Sequence, residues 1–374
     1  MLVYFLVISI VVILTYVAQK VLNKSKILFA FVSLLILTVP SLLAAFRNDT
    51  VGVDVNVYEK SYFTDATQSS SFFEYYETED SDLFFLAINY VASCFSDSLG
   101  AAFFLIEFVF LFFAYLAIYR MRDYSPMWIS MLLFMLCYFN LSFNVMRQMV
   151  ATSFLLFAFT YLLRDNNIKK FFILSIVSFF FHKTAFIGGF FFIYIFWALS
   201  TPKSQKTKTV IYVLGCIGIY VLFQILLLLL AGLGGRFEHY IAYGGMDSGA
   251  NWQPTVVTVF VLGDLMLLCL TVYLYLIKEK ENKKEVYVLF MLVVADLMSQ
   301  LLGKYTMYAN RMSCYFGSPY IFILPKLFLK TNIVNRRTKY VFVSILLLAF
   351  VVIWLRMINQ TGNTIPYKSD LLGI

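Results

Sequence analysis

Apolar residues in this chain come in long unbroken blocks, and polar residues gather in the short gaps between them. The blocks fall at 2–19, 27–46, 99–119, 127–141, 145–163, 171–182, 184–200, 209–232, 255–277, 286–302, 306–329 and 340–356. Most come close to the roughly 17–25 residues that carry an α-helix across a hydrocarbon core about 30 Å thick. A transmembrane strand would alternate at every second residue, which these blocks do not do. The pattern predicts an all-α, polytopic integral membrane protein with about twelve transmembrane helices. The run at 83–95 has 13 residues, too few to cross, and predicts a re-entrant or interfacial helix. No internal repeat or soluble stretch interrupts the series, so residues 1–374 read as a single polytopic membrane domain.

Charge adds an orientation. Only 13% of the 374 residues are charged, about half the share of a soluble domain. The net charge of +8 does not point to nucleic acid, because the basic residues sit in short clusters between apolar blocks. The clusters are Lys20/Lys24/Lys26, Arg120/Arg122, Arg164/Lys169/Lys170, Lys203/Lys206/Lys208, Lys278/Lys280/Lys283/Lys284 and Lys326/Lys330/Arg336/Arg337/Lys339. They hold 20 of the 29 Lys and Arg residues and follow alternate blocks. The positive-inside rule puts them in the cytoplasm and both termini outside. Segments 46–98 and 233–254 are then outer loops, the first with ten Asp and Glu residues, the second with Arg236, His239 and Trp252. Loops of that length are usually functional or disordered, and the aromatic residues of the first (Tyr58, Tyr62, Phe63, Phe72, Phe73, Tyr75 and Tyr76) argue against disorder. The five cysteines are scattered and show no CxxC spacing, so neither a disulfide framework nor a thiolate metal site is implied. Met1 to Gln19 lacks a basic n-region and a cleavage site, and reads as a first span.

Nine basic residues remain on the outer side: Arg47, Lys60, Arg147, Lys183, Arg236, Lys304, Arg311, Arg356 and Lys368. Positive charge there opposes the insertion rule and needs another reason. Arg47 closes the second block, Arg147 lies one turn inside the fifth, and Arg311 lies about one turn inside the eleventh. Arginine offers a planar fork that grips phosphate oxygens in pairs and stays charged at working pH. Several near the outer surface suit a substrate whose diphosphate sits at headgroup level while its lipid tail stays in the bilayer. If that diphosphate leaves during reaction, the arginines also stabilise its growing charge, without a metal or cofactor. His182 and His239 are the chain's two histidines. An imidazole or a carboxylate could take the proton from an acceptor hydroxyl. Other readings stand beside these. Arg47 could pair with the acidic loop, and His182 could simply close a hairpin tip. Glu107, Asp264 and Asp296 could form a proton pathway or pair with neighbouring helices. Asp80 and Asp82 make an isolated Asp-x-Asp, the one outer sequence that could attract a metal.

At these residues the sequence resembles the EpsG-like branch of the Wzy O-antigen and capsular polysaccharide polymerases. Arg47, Gly52, Asp54 and Tyr58 follow the order of that family's opening motif. Asn144, Arg147, Gln148 and Ala151 match its Asn-x2-Arg-Gln signature, and His182, Thr184 and Ala185 its His-x-Ser/Thr-Ala. Arg311 with Tyr315 resembles a late arginine of the same family, while Lys183 after the histidine is a departure that could hold phosphate itself. The resemblance implies a bacterial plasma-membrane glycosyltransferase whose partners are membrane lipids and undecaprenyl-diphosphate-linked oligosaccharides, as donor and acceptor. A chain-length regulator is a candidate partner. His182 and Asp54 would be catalytic, and Arg47, Arg147, Arg311 and Lys183 would bind diphosphate. The alternatives are a flippase for the same lipid-linked sugar and an O-antigen ligase-type transferase.

Overall fold

The computed structural model describes residues 1–79, 81–231, 254–276, 282–303, 307–330, 336–358 and 362–374. Every regular element among them is helical. The chain begins with α1 (Leu2–Val21) and α2 (Lys26–Ala45), passes through a π-helical turn (Val55–Glu59), and continues as α3 (Lys60–Gln68), α4 (Phe72–Thr78) and α5 (Leu83–Ser93). Then come α6 (Leu99–Arg120), α7 (Met127–Phe134), a second π-turn (Met135–Phe139), α8 (Asn140–Ser142) and α9 (Met146–Asp165). The hairpin α10 (Ile168–Phe181) and α11 (Ala185–Leu199) precedes α12 (Gln205–Ala231), α13 (Pro254–Leu276) and α14 (Lys283–Leu302). Last are α15 (Met307–Asn310), α16 (Ser313–Gly317), α17 (Tyr320–Lys330) and α18 (Arg336–Met357).

Helix ends follow local chemistry. Ser25 caps α2 by accepting from the Leu28 N–H at 3.2 Å, and Asn167 caps α10 by accepting from the Lys170 N–H at 3.0 Å. Asn166 closes α9 in the left-handed region at φ 52°, with its N–H on the Leu162 carbonyl. Seven described helices are long and apolar enough to cross a membrane, and 127–142, 185–199 and 260–276 form shorter apolar helices. With 11 residues α5 reaches only roughly 16 Å, too short to cross. The structure departs from the expected continuous span at 306–329, which is broken into α15, α16 and α17. Pro319 lacks an N–H and so cannot continue the helical hydrogen-bond ladder, although Ser318 before it keeps helical backbone at φ −59° and ψ −35°, and Arg311 and Met312 turn between the first two pieces.

The core sits around α9. It is 83% buried yet has the lowest mean hydropathy of the seven long helices, 1.3, whereas Lys339–Met357 is 11% buried with mean hydropathy 2.4. A helix enclosed by protein can carry Gln148, Thr152, Ser153 and Thr160, all buried, while a helix facing lipid must be apolar. Aromatic side chains fill the seams; Phe113 and Phe154 meet edge-on at 4.4 Å between α6 and α9.

The two ends of the bundle differ. At one, described members of four basic clusters meet: Arg120 pairs with Asp165, Arg164 donates to the Arg120 carbonyl, Lys284 donates to Asn166 at 2.7 Å, and Lys326 pairs with Glu285. Segment 46–98 folds over the other end, and both termini lie there too. Tyr4 donates to the Thr364 carbonyl at 2.7 Å, Tyr367 to the Leu43 carbonyl at 2.8 Å, and Asn48 to Asp370 at 3.0 Å. The expected loop residues Arg236, His239 and Trp252 lie outside the described residues, as do Asp80 and Lys304.

Candidate functional site

The segment after α2 is locked onto the start of α9 by its own sequence. Gly52 adopts φ +101°, and a Cβ there would lie 2.3 Å from the Phe143 carbonyl oxygen. Only glycine permits both the backbone angle and the approach. Two residues on, the Asp54 N–H donates to the Asn144 side chain at 3.1 Å. Gly52 and Asn144 therefore act as fasteners that hold Asp54 and Tyr58 beside Arg147.

Arg147 stands in the first turn of α9 with its side chain 25% exposed. Its Nη1 donates to the Ser81 hydroxyl at 2.9 Å and lies 3.7 Å from the Asp82 carboxylate. The guanidinium also lies over the Tyr58 ring, 4.4 Å from its centroid. Asp82, only 5% exposed, holds the opposite partner as well: its Oδ2 is 3.0 Å from His182 Nδ1, and its Oδ1 accepts the Lys183 N–H at 3.3 Å. One carboxylate thus ties the start of α5 to the tip of the α10–α11 hairpin and to α9. The remaining imidazole nitrogen, Nε2, is free of that contact. Lys183 projects from the same tip, exposed, into a cleft of roughly 430 Å³ that Asp82, Ser81, Tyr76 and Glu79 also line.

Asp54 forms a second part of the site. Tyr58 donates to its Oδ2 at 3.2 Å. Burial raises the Asp54 carboxyl above the ordinary range, while Arg311, the Tyr58 hydroxyl and Arg147 pull it back. The fields of Arg311 and Arg147 therefore act on one carboxylate. Behind them Gln148, buried, donates to the Arg311 carbonyl at 2.7 Å. Tyr315, fully buried, meets the Thr184 hydroxyl at 2.9 Å. The motif residues Gln148, Thr184 and Tyr315 are struts; they hold the Arg311 segment against α9 and the hairpin tip.

Arg47 does not line this face with Arg147, His182 and Arg311. It is 6% exposed, with its guanidinium between the rings of Phe103 and Phe143 at 3.9 and 4.6 Å. Its Nη1 donates to the Phe143 carbonyl at 2.8 Å, and its Nη2 meets the Met146 sulfur at 3.3 Å. The acidic-loop salt bridge considered for Arg47 is not formed among the described residues; Glu107 of α6 and Glu59 of the loop act on it only through their fields. Glu107 is held by the Ser142 hydroxyl of a neighbouring helix at 2.7 Å. Glu59 is fully buried, with neither oxygen hydrogen-bonded. Burial pushes its carboxyl up to about 8 against the pull of Arg47, Arg147 and the Asn89 amide. Glu59 thus feels the field of both the enclosed arginine and the accessible one.

Motif order, spacing and this shared end of the bundle agree with the outcome of comparison with known families. The EpsG family model matches residues 31–369. The chain belongs to the EpsG family. No curated protein and no solved structure matches it. Membership makes it a glycan-polymerase-like membrane protein, and the EpsG match covers every motif residue from Arg47 to Tyr315.

Sequence reasoning missed two residues of this candidate site in the EpsG-family chain. Asp82 is one of ten acids in 46–98, and only its spacing from Asp80 singles it out there; its contacts are with His182 and Arg147. Its position just before the apolar run of α5 marks a helix start, but the side chain makes no cap there and turns to His182 and Arg147. Glu59 carried no signal, because its complete burial is a property of the fold alone.

Proposed function

We propose that this protein polymerises glycan repeats, moving a growing chain from its polyprenyl diphosphate carrier onto the next lipid-linked repeat at the outer face of the bacterial plasma membrane. In this reading the chain crosses the membrane twelve times, with both termini outside and the basic end in the cytoplasm. The observation that carries the reading is the contact of one buried carboxylate, Asp82, with both His182 and Arg147, in a chain of the EpsG family.

The chemistry follows from those contacts. Arg147 and Arg311 hold the donor diphosphate, and Lys183 adds charge at the rim. Asp82 accepts from His182 Nδ1–H, which leaves Nε2 able to take a proton from the acceptor hydroxyl. The hydroxyl oxygen forms a bond to the anomeric carbon as the bond from that carbon to the diphosphate oxygen breaks. The electron pair leaves with the polyprenyl diphosphate, whose charge the arginines stabilise. Asp54, drawn between Arg311 and Tyr58, is the alternative base. No divalent metal enters the scheme.

The test is the surface glycan of cells carrying Asp82→Asn in place of wild type. Single repeats on the outer surface, at normal protein level, support the proposal. Long chains refute it, and repeats retained inside the cell would favour the flippase.

A further inference from the structure

The motif residues end at Tyr315, yet the segment that follows α18 reaches back to the first of them. Residues 362–370 are sunk into the end of the bundle that bears the site: Thr364 and Ser369 are fully buried and Tyr367 is 6% exposed. Tyr367 donates to the Leu43 carbonyl at 2.8 Å, and its ring meets that of Tyr4 edge-on at 5.7 Å. Tyr4 donates in turn to the Thr364 carbonyl at 2.7 Å.

This docked segment serves the loop between α2 and the first π-helical turn. Residues 46–52 form turns and bends, so several of their N–H groups need acceptors from elsewhere in the chain. The Asn48 N–H donates to the Lys368 carbonyl at 2.9 Å, the Gly52 N–H to the Asn363 carbonyl at 3.3 Å and the Val53 N–H to the Gly362 carbonyl at 3.0 Å. The next N–H, that of Asp54, goes to Asn144 Oδ1 at 3.1 Å. Consecutive amides at Gly52, Val53 and Asp54 are thus fixed, two by the docked segment and one by Asn144. Asn48 and Asp370 clasp each other further along: Asn48 Nδ2 donates to Asp370 Oδ1, and the Asp370 N–H donates to Asn48 Oδ1, both at 3.0 Å.

Gly362 joins the two sets of contacts. Its φ is +44°, and a Cβ there would lie 2.3 Å from Asn144 Nδ2. Glycine permits both the backbone angle and the approach. The Asn144 carboxamide therefore has Gly362 against its nitrogen and the Asp54 N–H on its oxygen. Gly373, in the same segment, has φ +66°, but a Cβ there would meet nothing within 4 Å.

We propose, resting on the glycan-transfer reading, that residues 362–370 are a positioning strap for the transfer site. By pairing with the backbone of Gly52 and Val53 and by backing Asn144, they set where Asp54 and Tyr58 stand beside Arg147.

The experiment compares Gly362→Ala with Gly373→Ala in the purified full-length protein. Hydrogen exchange across residues 48–58 and polymerisation of lipid-linked repeats extracted from the producing cells are read on the same preparations. Both substitutions put a side chain on left-handed backbone, but only the first drives it into Asn144. Gly362→Ala should quicken exchange in 48–58 by about ten-fold or more. It should also lower kcat by about 10- to 100-fold, in line with displacing a reacting group by about 1 Å. Gly373→Ala should match wild type in exchange and in kcat. If Gly362→Ala does not accumulate, Tyr367→Phe and Asp370→Ala each release one fixing of the strap and should show the same two changes in smaller measure. Unchanged exchange across 48–58, even with a lowered thermal midpoint, would mark the segment as merely structural and overturn the proposal. Faster exchange with a wild-type kcat would overturn it as well. If wild type polymerises nothing, the transfer reading fails, and the exchange comparison alone then decides whether the strap holds the loop.

Discussion

Arg47 follows the last turn of α2 and Arg147 opens α9, so two guanidiniums reach the same end of the bundle from helices that run in opposite directions. Around Arg47 the neighbours are Phe103, Phe143 and a backbone carbonyl. Around Arg147 they are Ser81, Asp82 and the face of Tyr58, with a quarter of the side chain left open. The first set spends the charge on holding the chain together, and the second presents it beside an imidazole. Identical residue types at one end of the bundle therefore divide into an enclosed fastener and an accessible charge according to what the fold places against them.

The largest effect that sharpens this contrast is on the accessible arginine. Arg147→Lys keeps a charge and loses the paired donors. It should cut polymerisation by about 100- to 1000-fold, the usual cost of losing one anion contact in a transition state. The protein should still reach wild-type levels in the membrane. A lysine variant as active as wild type would break the contrast from one side.

The enclosed arginine should respond in stability first. Arg47→Ala leaves the Phe143 carbonyl without its donor, removes the stacking cation and opens a cavity. Together these should cost roughly 2–3 kcal/mol, read as a lower thermal midpoint of the purified protein. An alanine variant that melts normally but no longer polymerises would return Arg47 to the substrate.

Much of the architecture could be read from the apolar blocks, since a helix of fixed rise crossing a fixed thickness leaves a length signature. The only local marker of a break in 306–329 was Pro319; the turn at Arg311 and Met312 has none. Among the candidate residues, Arg147, His182 and Arg311 stood out because cations and imidazoles are rare in such a chain and lie where insertion disfavours positive charge. Asp54, one of ten acids in its segment, stood out only by its motif position after Arg47. The burial of Arg47 could not, because Phe103 and Phe143 are distant in sequence and ordinary in an aromatic-rich protein. Gly52 and Asn144 were visible as motif positions, but their work as fasteners is seen only in the 2.3 Å approach to Phe143 and the hydrogen bond to Asp54.

A smaller effect concerns Glu59, on which the fields of both arginines act. Its carboxyl, raised to about 8 from an ordinary value of 4.5, binds a proton in the folded state that the unfolded chain has already released. Its contribution is fully present below about pH 4.5 and is lost as pH climbs toward 8, by at most about 1.4 kcal/mol per pH unit. Glu59→Gln should flatten the fall in thermal midpoint over that window. A slope unchanged by the substitution would place the titrating group elsewhere.

The claim at the centre is that Asp82, His182 and Arg147 act as one catalytic set. The most direct measurement is the polymerisation rate of purified His182→Gln protein at saturating lipid-linked repeat, compared with wild type. Loss of the base should lower the rate by about 100-fold or more while KM for the donor stays nearly constant, because Arg147 and Arg311 remain to hold the diphosphate. A wild-type rate from the glutamine variant would contradict the account and reduce His182 to a structural residue at the hairpin tip.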